Sequence, residues 1–296
     1  MADDFERGMG TLWEALWHQS GTPTRIVRWE TDIRARIWGV NAAAQREHTM
    51  EALRAVAAES GVKFTDVTDQ PDAAQLANVS VEIVADDQLE DNQPCVTYLD
   101  FKTETRVDSA VTQMRSKDAW RCAYHESMHV MGVRGHPSGD SVLSYFPKRV
   151  DVLSTLDKVM LHAWYSPHMA SGMTPFEALP ILGDELVAMS PDKVLAAQQR
   201  DRFLANTVQK MLAYANGQGD IPAIVKRSGK STEEGIRYGR AEMSYFLGIA
   251  YLEGATVQKD SGLAVQWLQR AATMGNRGAQ AKLGAFRASN AAAAQK

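Results

Sequence analysis

Apolar residues recur at helical spacing over residues 3–19, where Leu12, Trp13, Leu16 and Trp17 share one face. The period then shortens. Thr24–Trp29 and Ile33–Gly39 alternate apolar with polar, which predicts two strands or one bent strand. Ala42–Ser60 returns to helical spacing through Met50, Leu53, Val56 and Ala57, and Gly61 is placed to stop it. Val62–Val67 and Val79–Val84 are short strand-like runs. Cys95–Lys102, after Gln93-Pro94, carries the strongest strand signal in the chain. A further amphipathic helix follows around residues 119–131. Strand, helix, strands and helix in this order describe an α+β domain.

Beyond this point the pattern is all-helical. Val150–Trp164, Pro175–Met189 and Pro191–Tyr214 each predict a helix, with Pro175 and Pro191 suited to first-turn positions. Residues 216–232 lie in a stretch rich in Gly, Pro and Lys, which predicts a linker. The last residues, SNAAAAQK, read as a fraying tail. Between linker and tail the chain repeats itself: Leu247-Gly248 recurs as Leu283-Gly284, and Gly239 as Gly275. The unit reads as a helix over 241–252, a glycine turn, a helix over 260–273 and the start of another unit. So short a pair cannot bury its own apolar face and must stack on a neighbour.

Composition narrows the function classes. The chain has 296 residues, a formal net charge of −4 and no basic excess that would ask for nucleic acid. It contains no apolar run of the roughly 18 residues that span a bilayer. The opening MADDFERGMG is acidic and polar, so no signal peptide is expected in this chain. Two readings stand for Cys95 and Cys122: a pair of reduced thiols, or one disulfide, which requires an oxidising compartment. The disulfide is preferred, because it would pin the helix of Cys122 to the strand of Cys95. Trp13, Trp17, Trp29 and Trp38 are expected in the core. His18 and His48 are expected at the surface, and His162 and His168 as surface or capping residues.

The chemistry concentrates in His125-Glu126-Ser127-Met128-His129. On a helix, positions i and i+4 share a face, so His125 and His129 can offer imidazoles to one zinc ion. Glu126 projects beside them, where it can accept a proton from a metal-activated water. Gly132 falls where a glycine can end the helix in a left-handed turn. The chain then reverses over Val133-Arg134-Gly135 and delivers His136, the expected third ligand, with Asp140 as the alternative.

This layout resembles that of the metzincin zinc peptidases, whose pattern is HExxHxxGxxH. Here it reads HExxHxxGxxGH, so Gly135 holds the usual ligand position and His136 comes one residue later, a shift that a bulge at Gly135 can absorb. Ser141-Val142-Leu143-Ser144-Tyr145 is similar to the turn beneath the metal in that family, with Leu143 in place of methionine. The resemblance implies that Tyr145 approaches the metal and steadies the oxyanion. Tyr165-Ser166-Pro167 and Gly172–Leu179 resemble segments of a bacterial family of metzincin-like envelope proteins, which implies no substrate. The repeat resembles the Sel-one-like repeat, a relative of the tetratricopeptide repeat. It does so through Leu247-Gly248, Tyr251, Gly254, Asp260, Ala264, Trp267 and Gly275. Such repeats usually bind proteins.

The resulting expectation is a metzincin-like catalytic domain over 1–215, a linker over 216–232 and a helical repeat over 233–296. The implied activity is zinc-dependent cleavage of peptide bonds. Zn2+ is held by His125, His129 and His136, with Glu126 and Tyr145 catalytic. The substrate would be a protein or peptide, laid along the edge of the Cys95–Lys102 strand, and the repeat would offer a surface to a protein partner. The implied compartment is periplasmic or secreted. Two alternatives stand beside this. One is a non-catalytic scaffold with a structural or vestigial zinc site, favoured by Gly135 and Leu143. The other is an amidase acting on a non-peptide amide.

Overall fold

The computed structural model of the protein describes residues 2–144 and 152–293. In chain order they form α1 (Ala2–Ala15), β1 (Trp17–His18), β2 (Thr22–Pro23), β3 (Arg28–Trp29), β4 (Ile33–Gly39), α2 (Ala42–Ser60), β5 (Phe64–Asp66), α3 (Ala73–Leu76), β6 (Val79–Val84), β7 (Cys95–Phe101), β8 (Arg106–Arg115) and α4 (Ala119–Val130). Among the described residues the elements that follow are all helices: α5 (Thr155–Trp164), α6 (Pro175–Met189), α7 (Lys193–Ala215), α8 (Ala223–Arg227), α9 (Glu233–Glu253), α10 (Ser261–Thr273) and α11 (Arg277–Ala293). The chain gathers into two compact units. One comprises residues 10–15 and 25–173; the other comprises 1–9, 16–24 and 174–296. The boundary expected at 215/216 lies inside the second of these.

The first unit is mixed α/β. β5, β4, β6 and β8 run parallel in that order, and β7 closes the far edge antiparallel to β8. β3 adds a two-residue parallel pairing to the start of β8. Ile33, Ala35 and Ile37 of β4, Val79, Val81 and Ile83 of β6, and Ala110, Thr112 and Met114 of β8 are all buried. They alternate with outward residues such as Trp38 and Val111, so one sheet face is apolar and α2 and α4 pack against it. α2 spans the predicted residues and stops at Gly61, whose φ of 68° lets its N–H cap the last carbonyls.

β8 is the strand that the pattern missed, although three other strands pair with it. Its sequence RVDSAVTQMR puts Asp108 and Ser109 between the buried Val107 and Ala110, which breaks the alternation just where the antiparallel pairing with β7 shifts register. Other boundaries moved for local reasons. The first helix ends at Ala15, not residue 19, because Trp17–His18 pairs with Thr22–Pro23 around Gly21 at φ 74°. Of Thr24–Trp29 only Arg28–Trp29 is strand. The expected helix start at Val150 lies outside the described residues; the helix begins at Thr155, where Ser154 and Asp157 form a reciprocal capping box.

In the second unit α6 starts at Pro175 as predicted, capped by Thr174. α7 starts at Lys193 behind the cap Asp192, so Pro191 precedes the helix and is not in its first turn. The linker region holds α8, whose Ile224 and Val225 are buried, so hydrophobic anchoring overrides its Gly-rich composition. α9 and α10 form the repeat pair, joined through Gly254 at φ 78°. Ile249, Leu268, Ala271, Ala279 and Leu283 make their shared core with α11. α11 continues through Ala293, so the alanines read as a tail are helical up to that point. Two single residues also depart from expectation. Trp38 is 43% exposed, because it sits on the outward register of β4. His48 is buried, stacked flat on Trp120 with ring centroids 3.6 Å apart.

Candidate metal centre

α4 is buried along most of its length, and His125, Glu126 and Met128 are all under 5% exposed. The helix ends at Val130, and Gly132 takes φ 93° to turn the chain back. A Cβ at Gly132 would lie 2.1 Å from the Val27 carbonyl oxygen, so both conformation and space require glycine there. Tyr165 donates its hydroxyl to the Met131 carbonyl at 2.9 Å, and Trp29 donates its indole N–H to the Val130 carbonyl at 2.7 Å. Between them they hold the helix end in place. Burial pushes the Tyr165 phenol up, which keeps it a donor.

Gly135 is required by close approach, not by unusual backbone conformation. A Cβ there would lie 2.4 Å from the carbonyl oxygen of Glu14 and 2.7 Å from that of Ala15. Glu14 in turn accepts from the backbone N–H and the hydroxyl of Ser138, at 2.7 and 2.8 Å. The segment carrying His136 is thus docked on the last turn of α1.

These constraints bring the imidazoles of His125, His129 and His136 together, with one ring nitrogen of each lying within 4.8 Å of the others. His129 Nε2 is 3.1 Å from both His125 Nε2 and His136 Nε2. On their far sides, His125 Nδ1 is 2.9 Å from the Val142 carbonyl and His129 Nδ1 is 2.7 Å from that of Val133. A carbonyl oxygen only accepts, so both Nδ1 atoms carry the proton and both Nε2 lone pairs face inward. His129 would need a second proton to donate to either neighbour. Burial opposes that, lowering its pKa to about 4. Inward lone pairs on His125 and His129, with the His136 Nε2 beside them, fit a cation, and three imidazole nitrogens, two of them with tautomers set by backbone carbonyls, fit zinc.

The supports extend outward. Asp157 accepts from Ser141 Oγ, from Val142 N at 3.1 Å and from Ser154 N at 2.8 Å, and so fixes the turn whose carbonyl orients His125. Burial pushes the Asp157 carboxyl up, and these hydrogen bonds oppose it. Leu143 is fully buried. Asp140 is exposed and stands outside the histidine cluster. Tyr145 lies outside the described residues. His162 bonds Glu59 at 2.8 Å, and His168 is exposed.

Glu126 is 3% exposed, and its Oε2 accepts from Thr97 Oγ1 at 2.7 Å. Thr97 lies 2.8 Å from Thr112 Oγ1 of the neighbouring strand. Cys95 and Cys122 form a disulfide with Cα atoms 6.2 Å apart, which ties β7 to α4 as preferred from the sequence. The threonines, the docking by Glu14 and the clamp by Tyr165 were not read as site residues. Thr97 had a usable signal, since it stands two residues from Cys95 on the same strand face.

A Sel1 repeat model matches residues 241–276, the α9–α10 pair and the turn that follows it. Such repeats commonly mediate protein–protein interaction. Among the described residues no helix is long and apolar enough to cross a membrane. No curated protein and no solved structure matches the chain.

Proposed function

We propose that the protein is a zinc-dependent hydrolase of peptide bonds. One observation carries the reading: three imidazole nitrogens converge, and the helix that supplies His125 and His129 also carries Glu126 as a buried carboxylate next to His125 in the chain. His125, His129 and His136 would hold the ion, leaving a position for water or substrate. Bound there, zinc supplies a Lewis acid that lowers the pKa of a water and polarises a carbonyl. Glu126 takes the proton of the attacking water and returns it to the leaving amine. β7 pairs on one side with β8 and belongs to the sheet edge, which supports an extended peptide adding there as a further strand. The resemblance to metzincins and the role it implies for Tyr145 belong to this reading. The disulfide supports an oxidising, periplasmic or secreted setting.

A second reading, a protein-binding scaffold with a structural zinc site, is favoured by the Sel1 repeat match. One experiment separates the two. Zinc content by elemental mass spectrometry and cleavage of dye-labelled casein are measured for the wild type and Glu126→Gln. The hydrolase reading expects about one zinc in each and a loss of cleavage of about 10²–10⁴-fold in the variant. Zinc without cleavage in the wild type favours the scaffold.

A further inference from the structure

We infer that Thr97 is a positioning residue for Glu126, backed by Thr112, and that the Cys95–Cys122 bond sets the register that makes this possible. The inference rests on the hydrolase reading. Thr97 has one hydroxyl proton, and the Glu126 carboxylate, as an acceptor, takes it. The 2.8 Å contact between the threonine hydroxyls therefore runs from Thr112 to Thr97. The result is a directed chain: Thr112 donates to Thr97, and Thr97 donates to Oε2 of Glu126. Thr112 is 2% exposed, so water does not compete for its proton, and each bond in such a chain polarises the next.

The register follows from element geometry. Thr97 lies two residues beyond Cys95 along the strand, about 6.8 Å. Glu126 lies four residues beyond Cys122 along the helix, about 6 Å, on the same face. A bond joining Cys95 to Cys122 therefore brings Thr97 opposite Glu126, provided that the two elements run alongside each other. The observed 2.7 Å bond shows that they do. The carboxylate is thereby held in one plane before substrate arrives, and the holding group sits on the edge strand that would receive the peptide. Substrate binding and base alignment then share one element.

The test uses cobalt-substituted full-length protein and acetohydroxamate, whose hydroxyl hydrogen-bonds a carboxylate beside the metal. Binding is read from the visible spectrum of the cobalt. Wild type binds, and Glu126→Ala binds more weakly. Thr97→Val retains one cobalt and weakens acetohydroxamate by about three- to tenfold, the worth of one hydrogen bond. Thr97→Ser restores it, which a purely structural role for the threonine methyl would not allow. If Thr97→Val fails to fold, Thr112→Val carries the test, with a smaller loss expected. Full-strength binding in Thr97→Val, or in Thr112→Val where that variant carries the test, overturns the inference and leaves the hydrolase reading standing. Cobalt-loaded wild type that binds no acetohydroxamate overturns both.

Discussion

Cys95 on β7 is bonded to Cys122 on α4, one helical turn before His125 and Glu126. The link crosses 27 residues of chain, including all of β8, the strand against which β7 pairs. Closing a loop of this length removes entropy from the unfolded chain worth about 3–4 kcal/mol. Replacing both cysteines by alanine should lower unfolding free energy by about that amount in a urea titration. An unchanged midpoint would show that packing of α4 on the sheet holds the helix without the bond.

The third ligand can be assigned directly. His136→Ala should lose most bound zinc in elemental mass spectrometry, whereas Asp140→Ala should keep about one ion per chain. Retention in the first and loss in the second would move the ligand to Asp140.

Gly135 makes a sharper structural prediction. Its missing Cβ is what lets the chain pass the Glu14 and Ala15 carbonyls. Gly135→Ala should cost about 1–3 kcal/mol through overpacking. It should also displace His136 and weaken zinc binding, even though alanine suits the backbone conformation. Thermal unfolding and metal titration of the same variant check both. Normal zinc affinity would mean that the segment re-docks freely.

Glu59 predicts a pH effect outside the site. The Lys158 ammonium, with His162 beside it, lowers the Glu59 pKa below its ordinary value. A carboxylate depressed in the fold contributes stability above its unfolded pKa, near 4.3, and loses it as pH falls through the lower folded value. Glu59→Gln should therefore flatten the acid limb of the stability curve below about pH 4.3 and leave its shape unchanged above that. Parallel acid limbs in the two proteins would show that the α2–α5 pair contributes nothing.

The sequence by itself determined what depends on near neighbours. The i, i+4 histidines, the glycine stops at Gly61 and Gly132, the first-turn proline of α6 and the 36-residue repeat are all local periodicities or single-residue conformational demands. They were legible because helix geometry converts spacing directly into direction. Mixed α/β character and the helical C-terminal region followed from the same patterns. What only the tertiary structure decided lies between segments distant in sequence. β8 shows a broken alternation yet is an interior strand, because pairing with strands on both sides supplies its stability. Gly135 looked like a flexible insertion and instead serves close packing against α1. His48 is polar yet buried, because Trp120 offers a ring to cover it. Thr97 shares a strand face with Cys95 in the sequence, but 28 residues separate it from Glu126, and only the packing of β7 against α4 decides that the hydroxyl meets the carboxylate.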